Sequence, residues 1–357
     1  MTCMCWQSER MSIFTKGNKL VNRETGETVR LRGVSLQDPL WQRLSPGPRL
    51  LSHGTLGLEQ AHAWKANCVR IPFHPVTIRH AGQGDWMRGL ESVSRELDWI
   101  LMAAKAIGLW VIIDFHAIGF PALETAFDFD EAPYENLYAT SQFEIEAFWR
   151  LVARRYHDHP SVAAFEIYNE AENAAAFGNQ DDWNLHAAWA EALITEIIRP
   201  VALETLVIVG GLHFGYDLEG ALSRPVRDLN VAYSSHPYPH HSQAKMWNRA
   251  FGDVADIYPV VLTEVGFGGD GFFSRDHHRG FRDWELELQS YADAKGLSFI
   301  AWNFSASWEP TLLRPSAEKE RLETDFPFEP NEAGQFFKTW LESTSLFPSF
   351  SQTSSSV

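Results

Sequence analysis

The sequence predicts a single (β/α)8 TIM barrel preceded by a short β-hairpin. Apolar, strand-like segments alternate eight times with helical segments along 357 residues, as expected for a parallel sheet buried on both faces. Polar side chains also recur where these strands end, which is where such barrels carry their functional groups. A doubly wound sheet is disfavoured, because it carries a glycine-rich turn after its first strand and the sequence there reads VSLQDP.

The N-terminal part predicts a hairpin that leads into the first barrel strand. In KLVNRETGETVRLRGVSL, two short alternating runs flank the turn residues ETGE, and the second arm continues into an apolar strand ending near Leu36. We predict that residues 1–15 are a flexible terminus and residues 16–345 one catalytic domain. The Ser-rich residues 346–357 are predicted to be a disordered tail.

The remaining elements alternate regularly. The helix after the first strand is predicted at 57–66, and the later strands at 68–73, 109–116, 161–170, 205–211, 230–238, 259–268 and 297–305. The helices between and after them are predicted at 88–107, 141–159, 181–202, 218–222, 244–251, 277–296 and 331–343. Gly108 and Pro160 mark the ends of two of these helices.

Charge and composition restrict the classes of partner. The formal net charge of −16 argues against nucleic acid and anionic membrane surfaces, which both attract basic proteins. No segment approaches the roughly 18 apolar residues of a membrane span, and three cysteines cannot form a disulfide framework. The fourteen tryptophans indicate either a large core or exposed platforms for sugar rings. We therefore expect a neutral ligand and a monomeric protein.

The first residues carry no pattern of a secretory signal. The expected location is therefore the cytoplasm, or outside the cell if an export signal is missing from this sequence. Met1 and Met11 both remain possible starts, since the residues between them show no structural pattern.

Six strands are predicted to end in polar or aromatic side chains that converge on one mouth of the barrel. The convergent set is Arg70, Asp114, His116, Asn169, Glu170, His236, Tyr238, Glu264 and Trp302.

The stretch FEIYNEAEN contains three glutamates that we expect to differ in depth. By strict alternation Glu166 and Glu170 share a face with Tyr168, with Glu166 deeper in the barrel and paired with a neighbour such as Arg70. Glu172 is predicted to be a solvated loop residue. Glu170 at the rim would face Glu264 across the mouth, and two opposed carboxylates are the working groups of a glycosidase. Their separation, which distinguishes retaining from inverting enzymes, is not readable from the residues.

The motifs VRIPF, DFHAIG, IYNEAEN, SHPY, LTEVGFG and AWNF, one per strand and in this order, resemble glycoside hydrolase family 5, the family of many cellulases and β-mannanases. The resemblance covers residues 28–343. It implies a retaining mechanism, with Glu170 as acid/base and Glu264 as nucleophile, and we expect no cofactor and no metal. It also implies the supporting residues: Asn169 for the sugar 2-hydroxyl, Arg70 and Tyr238 to orient and ionise Glu264, His116 and His236 to bind the sugar and tune the glutamates, and Trp302 as the floor of the site.

The substrate expected first is a β-1,4-linked glucan or its oligosaccharides, with an endoglucanase-like activity. A β-mannanase, an exo-acting β-mannosidase or β-glucosidase, a transglycosylase and a non-catalytic carbohydrate-binding barrel are the alternatives. Two departures from the family pattern, Ala171 in place of proline and the unusual VSLQDP, leave the chemistry intact but bear on the substrate.

Several further residues have two interpretations each. Trp308 and Trp247 lie on predicted loops and could line outer sugar subsites or be buried under those loops. The acidic segment 127–136 is predicted to be a long active-site loop rather than a calcium loop. The paired histidines suggest a metal site, which we disfavour because adjacent histidines rarely point at one ion; they are His240, His241, His277 and His278.

Overall fold

A computed structural model describes residues 12–41, 56–126, 137–173, 178–240, 244–268, 273, 283–316 and 327–343. Eight parallel strands close into a barrel surrounded by helices, which confirms the predicted fold class. With strands and helices numbered in chain order, the barrel consists of β4 (Arg32–Ser35), β5 (Cys68–Phe73), β6 (Trp110–Phe115), β9 (Val162–Glu166), β11 (Leu206–Gly210), β12 (Val231–Ser234), β13 (Val260–Val265) and β14 (Ser298–Ala301). The loop 127–136, residues 1–11, the tail 346–357 and three of the paired histidines (His241, His277 and His278) lie outside the described residues.

A small antiparallel sheet precedes the barrel. It consists of β1 (Ile13–Lys16), β2 (Lys19–Asn22) and β3 (Thr28–Val29). The predicted hairpin corresponds to β2 and β3, and β1 is an additional strand. The Asn230 amide joins this sheet to the barrel, because it accepts from Thr15 N at 2.9 Å and donates to Ile13 O at 3.0 Å.

The helices on the outside are α1 (Leu56–Ala63), α2 (Pro75–Ala81), α3 (Trp86–Ile107), α4 (Gln142–Tyr156), α5 (Gln180–Leu193), α6 (Leu212–Gly215), α7 (Ala244–Trp247), α8 (Asp253–Ala255), α9 (Trp284–Lys295) and α10 (Glu332–Ser343). Single 3-10 or π turns occupy Pro121–Leu123, Ile194–Ile198, Glu219–Leu222 and Asn248–Gly252. Local sequence explains several helix ends: Ser141 and Glu144 form a capping box at the start of α4. Gly108 ends α3 with a φ of 75°, in the left-handed region that glycine adopts without a steric penalty. In the part of the chain that the structure describes, no helix has the length and apolar character needed to cross a membrane.

The barrel interior changes from apolar to polar along the strands. At the N-terminal end it is filled by small and branched side chains such as Cys68, Ile112 and Ala164. Two residues further along the same strands, the inward positions are Arg70, Asp114 and Glu166, all fully buried. Inward positions recur every second residue along a strand. The change from apolar to charged side chains therefore forms a charged layer directly under the mouth of the barrel.

Four barrel strands end three or more residues earlier than predicted, and the difference matters for the site. The predicted strand 161–170 ends at Glu166, and residues Glu170–Ala171 form a separate strand β10 beside β7 (Ile118–Phe120). The small rim sheet is completed by β8 (Thr125–Ala126). The shared face predicted for Tyr168 is wrong, because its ring packs outward against Trp189 of α5, 5.8 Å between centroids. The strands predicted at 230–238, 259–268 and 297–305 likewise end early, at β12, β13 and β14.

A last pair of short strands, β15 (Leu313–Pro315) and β16 (Phe328–Pro330), forms an antiparallel ribbon after β14.

Candidate active site

Arg70 is the central cation of the mouth. Its guanidinium is fully buried and donates to Glu166 Oε2 at 2.6 Å, to Glu264 Oε1 at 2.8 Å and to Asn169 Oδ1 at 2.7 Å. Asp114 Oδ2 lies 3.0 Å from the same side chain. A fully buried charge is tolerated only when it is paired in this way. Arg70, on β5, therefore holds four side chains that lie on or just after three other strands, β6, β9 and β13, in one arrangement.

Glu264 accepts hydrogen bonds on both of its oxygens. Arg70 donates to Oε1, and the Tyr238 hydroxyl donates to Oε2 at 2.7 Å. Thr263 and Glu264 are consecutive, yet both side chains contact interior groups. The reason is a register shift between β13 and β14, between Leu262 and Val265, which interrupts the alternation of the strand.

Glu170 lies opposite Glu264 at the rim. One carboxylate oxygen of each and a ring nitrogen of His236 all lie within 4.8 Å of one another. Burial and the negative charge of Glu264 raise the pKa of Glu170 to about 7, although His236 acts in the opposite direction. The two carboxyl groups therefore differ in environment: Glu264 faces a cation and a hydroxyl donor, whereas Glu170 can hold a proton near neutral pH.

His236 lies between the two glutamates. Its Nδ1 is 2.9 Å from Glu170 Oε1, and its Nε2 is 2.9 Å from the Thr263 hydroxyl. Burial disfavours the protonated ring, but the surrounding carboxylates, Glu264 and Glu166 foremost, outweigh it and raise the pKa of His236 to about 10. The imidazolium form is thus favoured at neutral pH.

His116 and Trp302 line a neighbouring part of the mouth. Their rings stack with centroids 5.2 Å apart and planes 3° from parallel. The His116 Nδ1 lies 2.6 Å from Asp114 Oδ2, which fixes the orientation of the ring. Burial, together with the nearby His74 and Arg70, holds the pKa of His116 well below its usual value, so this ring is neutral.

An aromatic wall made of Trp41, His74, Tyr138 and Trp308 continues from His116. The Trp41 and Trp308 rings meet edge-on at 4.9 Å, and His74 lies 5.1 Å from Trp308 and 4.4 Å from His116. Trp308 is half-buried, so part of this possible outer-subsite residue remains accessible.

Asp38 and His74 were not predicted as site residues, although His74 directly follows β5 and Asp38 lies three residues after β4. The Asp38 carboxylate accepts from the backbone N–H of His74 at 2.9 Å and from the Thr77 hydroxyl at 2.6 Å, and His74 Nδ1 lies 2.9 Å away. The position three residues after the first strand, in VSLQDP, is the signal that could have identified Asp38.

Burial decides between the two interpretations of Trp247 and corrects the expectation for Glu172. Trp247 is 1% exposed and packs against Trp284 and Tyr291 of α9, with centroid distances of 6.4 and 5.3 Å, so it belongs to the core and lines no subsite. Glu172 is 5% exposed rather than solvated, because its backbone pairs with Gly119 and holds it against the rim sheet.

Within the described ranges, the three residues with metal-ligand spacing are Glu170, His236 and Glu264. A metal ligand needs a free imidazole lone pair, whereas the contacts of His236 favour protonation of both nitrogens. His240 lies apart from this group and stacks on Tyr238 with centroids 5.9 Å apart. The arrangement is suited to acid–base and nucleophilic chemistry by two carboxyl groups.

The protein is thus a (β/α)8 barrel with two opposed carboxyl groups at the C-terminal ends of its strands. Glu264 is bound by Arg70 and Tyr238, whereas Glu170 contacts His236. The family model described as cellulase, glycosyl hydrolase family 5, matches residues 23–307. The chain therefore belongs to glycosyl hydrolase family 5, a family of glycoside hydrolases.

Individual relatives are similar at lower identity. A protein of Xanthomonas campestris pv. campestris, named major extracellular endoglucanase, is 27% identical over 338 residues, covering 80% of this chain and 63% of the relative. An endoglucanase of Paenibacillus polymyxa is 24% identical, covering 82% of this chain and 79% of its own length. The solved structure of a β-glucanase from Saccharophagus degradans superposes with a TM-score of 0.75 at 27% identity, covering 95% of each chain.

Proposed function

We propose that this protein is a retaining β-glycoside hydrolase that cleaves β-1,4-linked glucan or its oligosaccharides by double displacement. The observation that carries the proposal is the pair formed by Glu170 and Glu264, whose nearest oxygens lie within 4.8 Å of each other. Retaining glycosidases place their carboxyl groups about 5–5.5 Å apart, whereas inverting enzymes leave a gap of about 6.5–9.5 Å for a water molecule.

In the first displacement, Glu264 Oε attacks the anomeric carbon and the glycosidic C–O bond breaks. Glu170 donates its proton to the departing oxygen, which leaves as an alcohol. A pKa of about 7 suits this role, because Glu170 is still protonated when substrate binds near neutral pH. The Arg70 and Tyr238 contacts orient Glu264 for attack.

In the second displacement, Glu170 is a carboxylate and takes a proton from water. The water oxygen bonds to the anomeric carbon, and the bond to Glu264 breaks. Two inversions give net retention, and both carboxyl groups return to their starting protonation states. No cofactor is required in either step.

The remaining side chains bind the sugar. The carbonyl oxygen of Asn169 is used by Arg70, which leaves its NH2 group to donate to the sugar 2-hydroxyl. His116 stacks on Trp302, and the two rings supply a flat surface for the reacting sugar. The neutral imidazole of His116 can accept a hydrogen bond from a sugar hydroxyl.

The glucan assignment rests on the relatives and on the aromatic wall. The similar proteins from Xanthomonas and Paenibacillus are named endoglucanases, and the Saccharophagus β-glucanase has been solved in complex with cellotetraose. The wall around Trp308 would carry the next sugar beyond Trp302, because pyranose rings pack well on aromatic faces. Mannan, exo-action, transglycosylation and binding without catalysis are the competing outcomes of the test below. Cellular location and oligomeric state remain predictions.

The test compares Glu264→Gln and Glu170→Gln with Glu172→Gln, a buried carboxylate of the same motif outside the proposed machinery. Cello-, manno- and laminari-oligosaccharides are digested, and the products are separated by chromatography. We expect cello-oligosaccharides to be cleaved by the parent and by Glu172→Gln. Glu264→Gln should lose about 1000-fold or more in rate, as expected when a catalytic nucleophile is removed. Unchanged hydrolysis in Glu264→Gln would contradict the mechanism. Cleavage of manno-oligosaccharides alone would contradict the proposed glucan specificity. Products longer than the substrate would indicate transglycosylation.

A further inference from the structure

A continuous chain of hydrogen bonds joins the two opposed carboxyl groups through the barrel interior. Beyond His236, the Thr263 hydroxyl donates to Glu166 Oε1 at 2.6 Å, and Arg70 binds the other oxygen of Glu166 at 2.6 Å. The chain runs in the order Glu170, His236, Thr263, Glu166, Arg70 and Glu264. Thr263 and Glu166 have no part in the mechanism above.

The direction of each hydrogen bond in this chain follows from the number of protons available. Glu166 is a carboxylate with a pKa lowered to about 2: burial opposes ionisation, but Arg70 and His236 more than compensate. It can only accept, so the single Thr263 proton must point to it. The Thr263 oxygen can then only accept from His236 Nε2, and that nitrogen must carry a hydrogen.

We propose that Thr263 is a positioning residue that makes His236 donate from Nε2, so that His236 faces Glu170 as an imidazolium. The inference rests on the proposed role of Glu170 as acid/base. Glu166 is the counter-ion on the far side of Thr263, with its Oε1 3.7 Å from His236 Nε2. The positive charge of His236 opposes the effect of burial on the pKa of Glu170, so that the Glu170 carboxyl group titrates near neutral pH.

The carboxylate of Glu264 supports the same charge state, because its Oε2 lies 3.8 Å from His236 Nδ1. The cation of Arg70, which binds both Glu166 and Glu264, acts against it, and Asp114 is more distant. The remaining face is covered by the turn α6, in which Gly215 packs so closely that a Cβ would lie 2.7 Å from His236 Nδ1. Gly215 O also accepts from the His236 backbone N–H at 3.2 Å. The ring is therefore held from both sides.

The nearest further titratable groups are outside this network. His213, on the same turn as Gly215, has its Nδ1 3.9 Å from Glu172 Oε2. Tyr238 donates to Glu264, and burial, with the charges of Glu264 and Glu170, raises the pKa of its hydroxyl well above the usual value, so it stays protonated. His116 is neutral. Among the residues that the structure describes, the carboxylates and Arg70 thus account for the charges facing His236.

The test replaces Thr263 with valine, which keeps the shape and removes the hydroxyl, and with serine, which keeps the hydroxyl. In Thr263→Val the Nε2 hydrogen has no acceptor, so His236 becomes neutral more readily and Glu170 loses an adjacent positive charge. The alkaline limb of the pH profile of kcat/KM should then move up by about one pH unit, since a nearby opposite charge shifts a carboxyl pKa by about 1–3 units. Thr263→Ser should keep the parent limb. A limb unchanged in Thr263→Val, or moved equally in both variants, would overturn the proposal.

A second measurement reads the charge state of His236 in the unmodified protein, and a variant is needed only to assign the signals. Nitrogen-15 NMR of the histidine rings, with the His236 signals assigned by their loss in His236→Asn, should show both nitrogens protonated at pH 7. A neutral His236 would overturn the proposal. Failure of the proposed function is distinguishable, because it would appear as retained hydrolysis in Glu170→Gln, whatever the state of His236.

Discussion

Replacing Tyr238 with phenylalanine removes one oxygen atom and the hydrogen bond of 2.7 Å to Glu264 Oε2. The remaining ring keeps its packing, and Arg70 still donates to Oε1. Hydrogen bonds to charged groups contribute about 1.5–3 kcal/mol, and each 1.36 kcal/mol in a barrier changes the rate tenfold. If the transition states lose the full contribution of this hydrogen bond, kcat/KM falls roughly 10- to 150-fold. The assay is initial-rate hydrolysis of cello-oligosaccharides at the pH optimum.

Tyr233→Phe is the matched control for this prediction. Tyr233 is also buried and also loses one hydrogen bond, from Val226 N at 2.8 Å, but its ring packs outside the barrel against Tyr258. We expect Tyr233→Phe to lower the thermal midpoint slightly and to leave kcat/KM unchanged. If Tyr238→Phe retains full activity, or if both variants lose activity equally, the reasoning about the Tyr238 hydrogen bond is refuted.

Three further predictions concern the pKa of Glu170 and the positions of two tryptophans. The value of kcat/KM should fall above about pH 7, because Glu170 is active as the acid only while protonated and its raised pKa is about 7; a profile that is flat to pH 9 would contradict this role. Trp308→Ala should raise KM for cellotetraose several-fold and leave KM for an aryl β-glucoside nearly unchanged, because the aryl glucoside is too short to reach the aromatic wall. Equal effects on the two KM values would argue against an outer subsite. Trp247→Ala should instead lower the free energy of unfolding by about 3–5 kcal/mol, measured by denaturant titration, without this selectivity between substrates.

The barrel could be predicted because local sequence carries most of its information. The strand predicted at 68–73 has the bounds of β5, since all six residues are buried and the segment is apolar apart from one residue. Helix ends at Gly108 and Ser141 follow from side-chain and backbone chemistry within one turn. Arg70 is the single charged residue of β5, and it indicated the layer at which the barrel interior becomes polar.

The site was only partly predictable because its details depend on contacts between distant strands. Strict alternation fails after Glu166, where the barrel strand ends and Glu170 joins the rim sheet instead. The burial of Glu172 results from pairing with Gly119, a residue of the rim strand β7 that is distant in sequence. Thr263 looks like an ordinary strand residue, and nothing near it in sequence indicates that it bridges His236 and Glu166.

The most direct test of the central claim is to trap the covalent intermediate. The protein is incubated with a 2-deoxy-2-fluoro β-cellobioside that has an activated leaving group, and the labelled peptide is identified by mass spectrometry. Double displacement predicts one glycosyl group attached to Glu264 and a product with retained anomeric configuration. A label on any other residue, or a product of inverted configuration, would contradict the assignment of Glu264 as nucleophile.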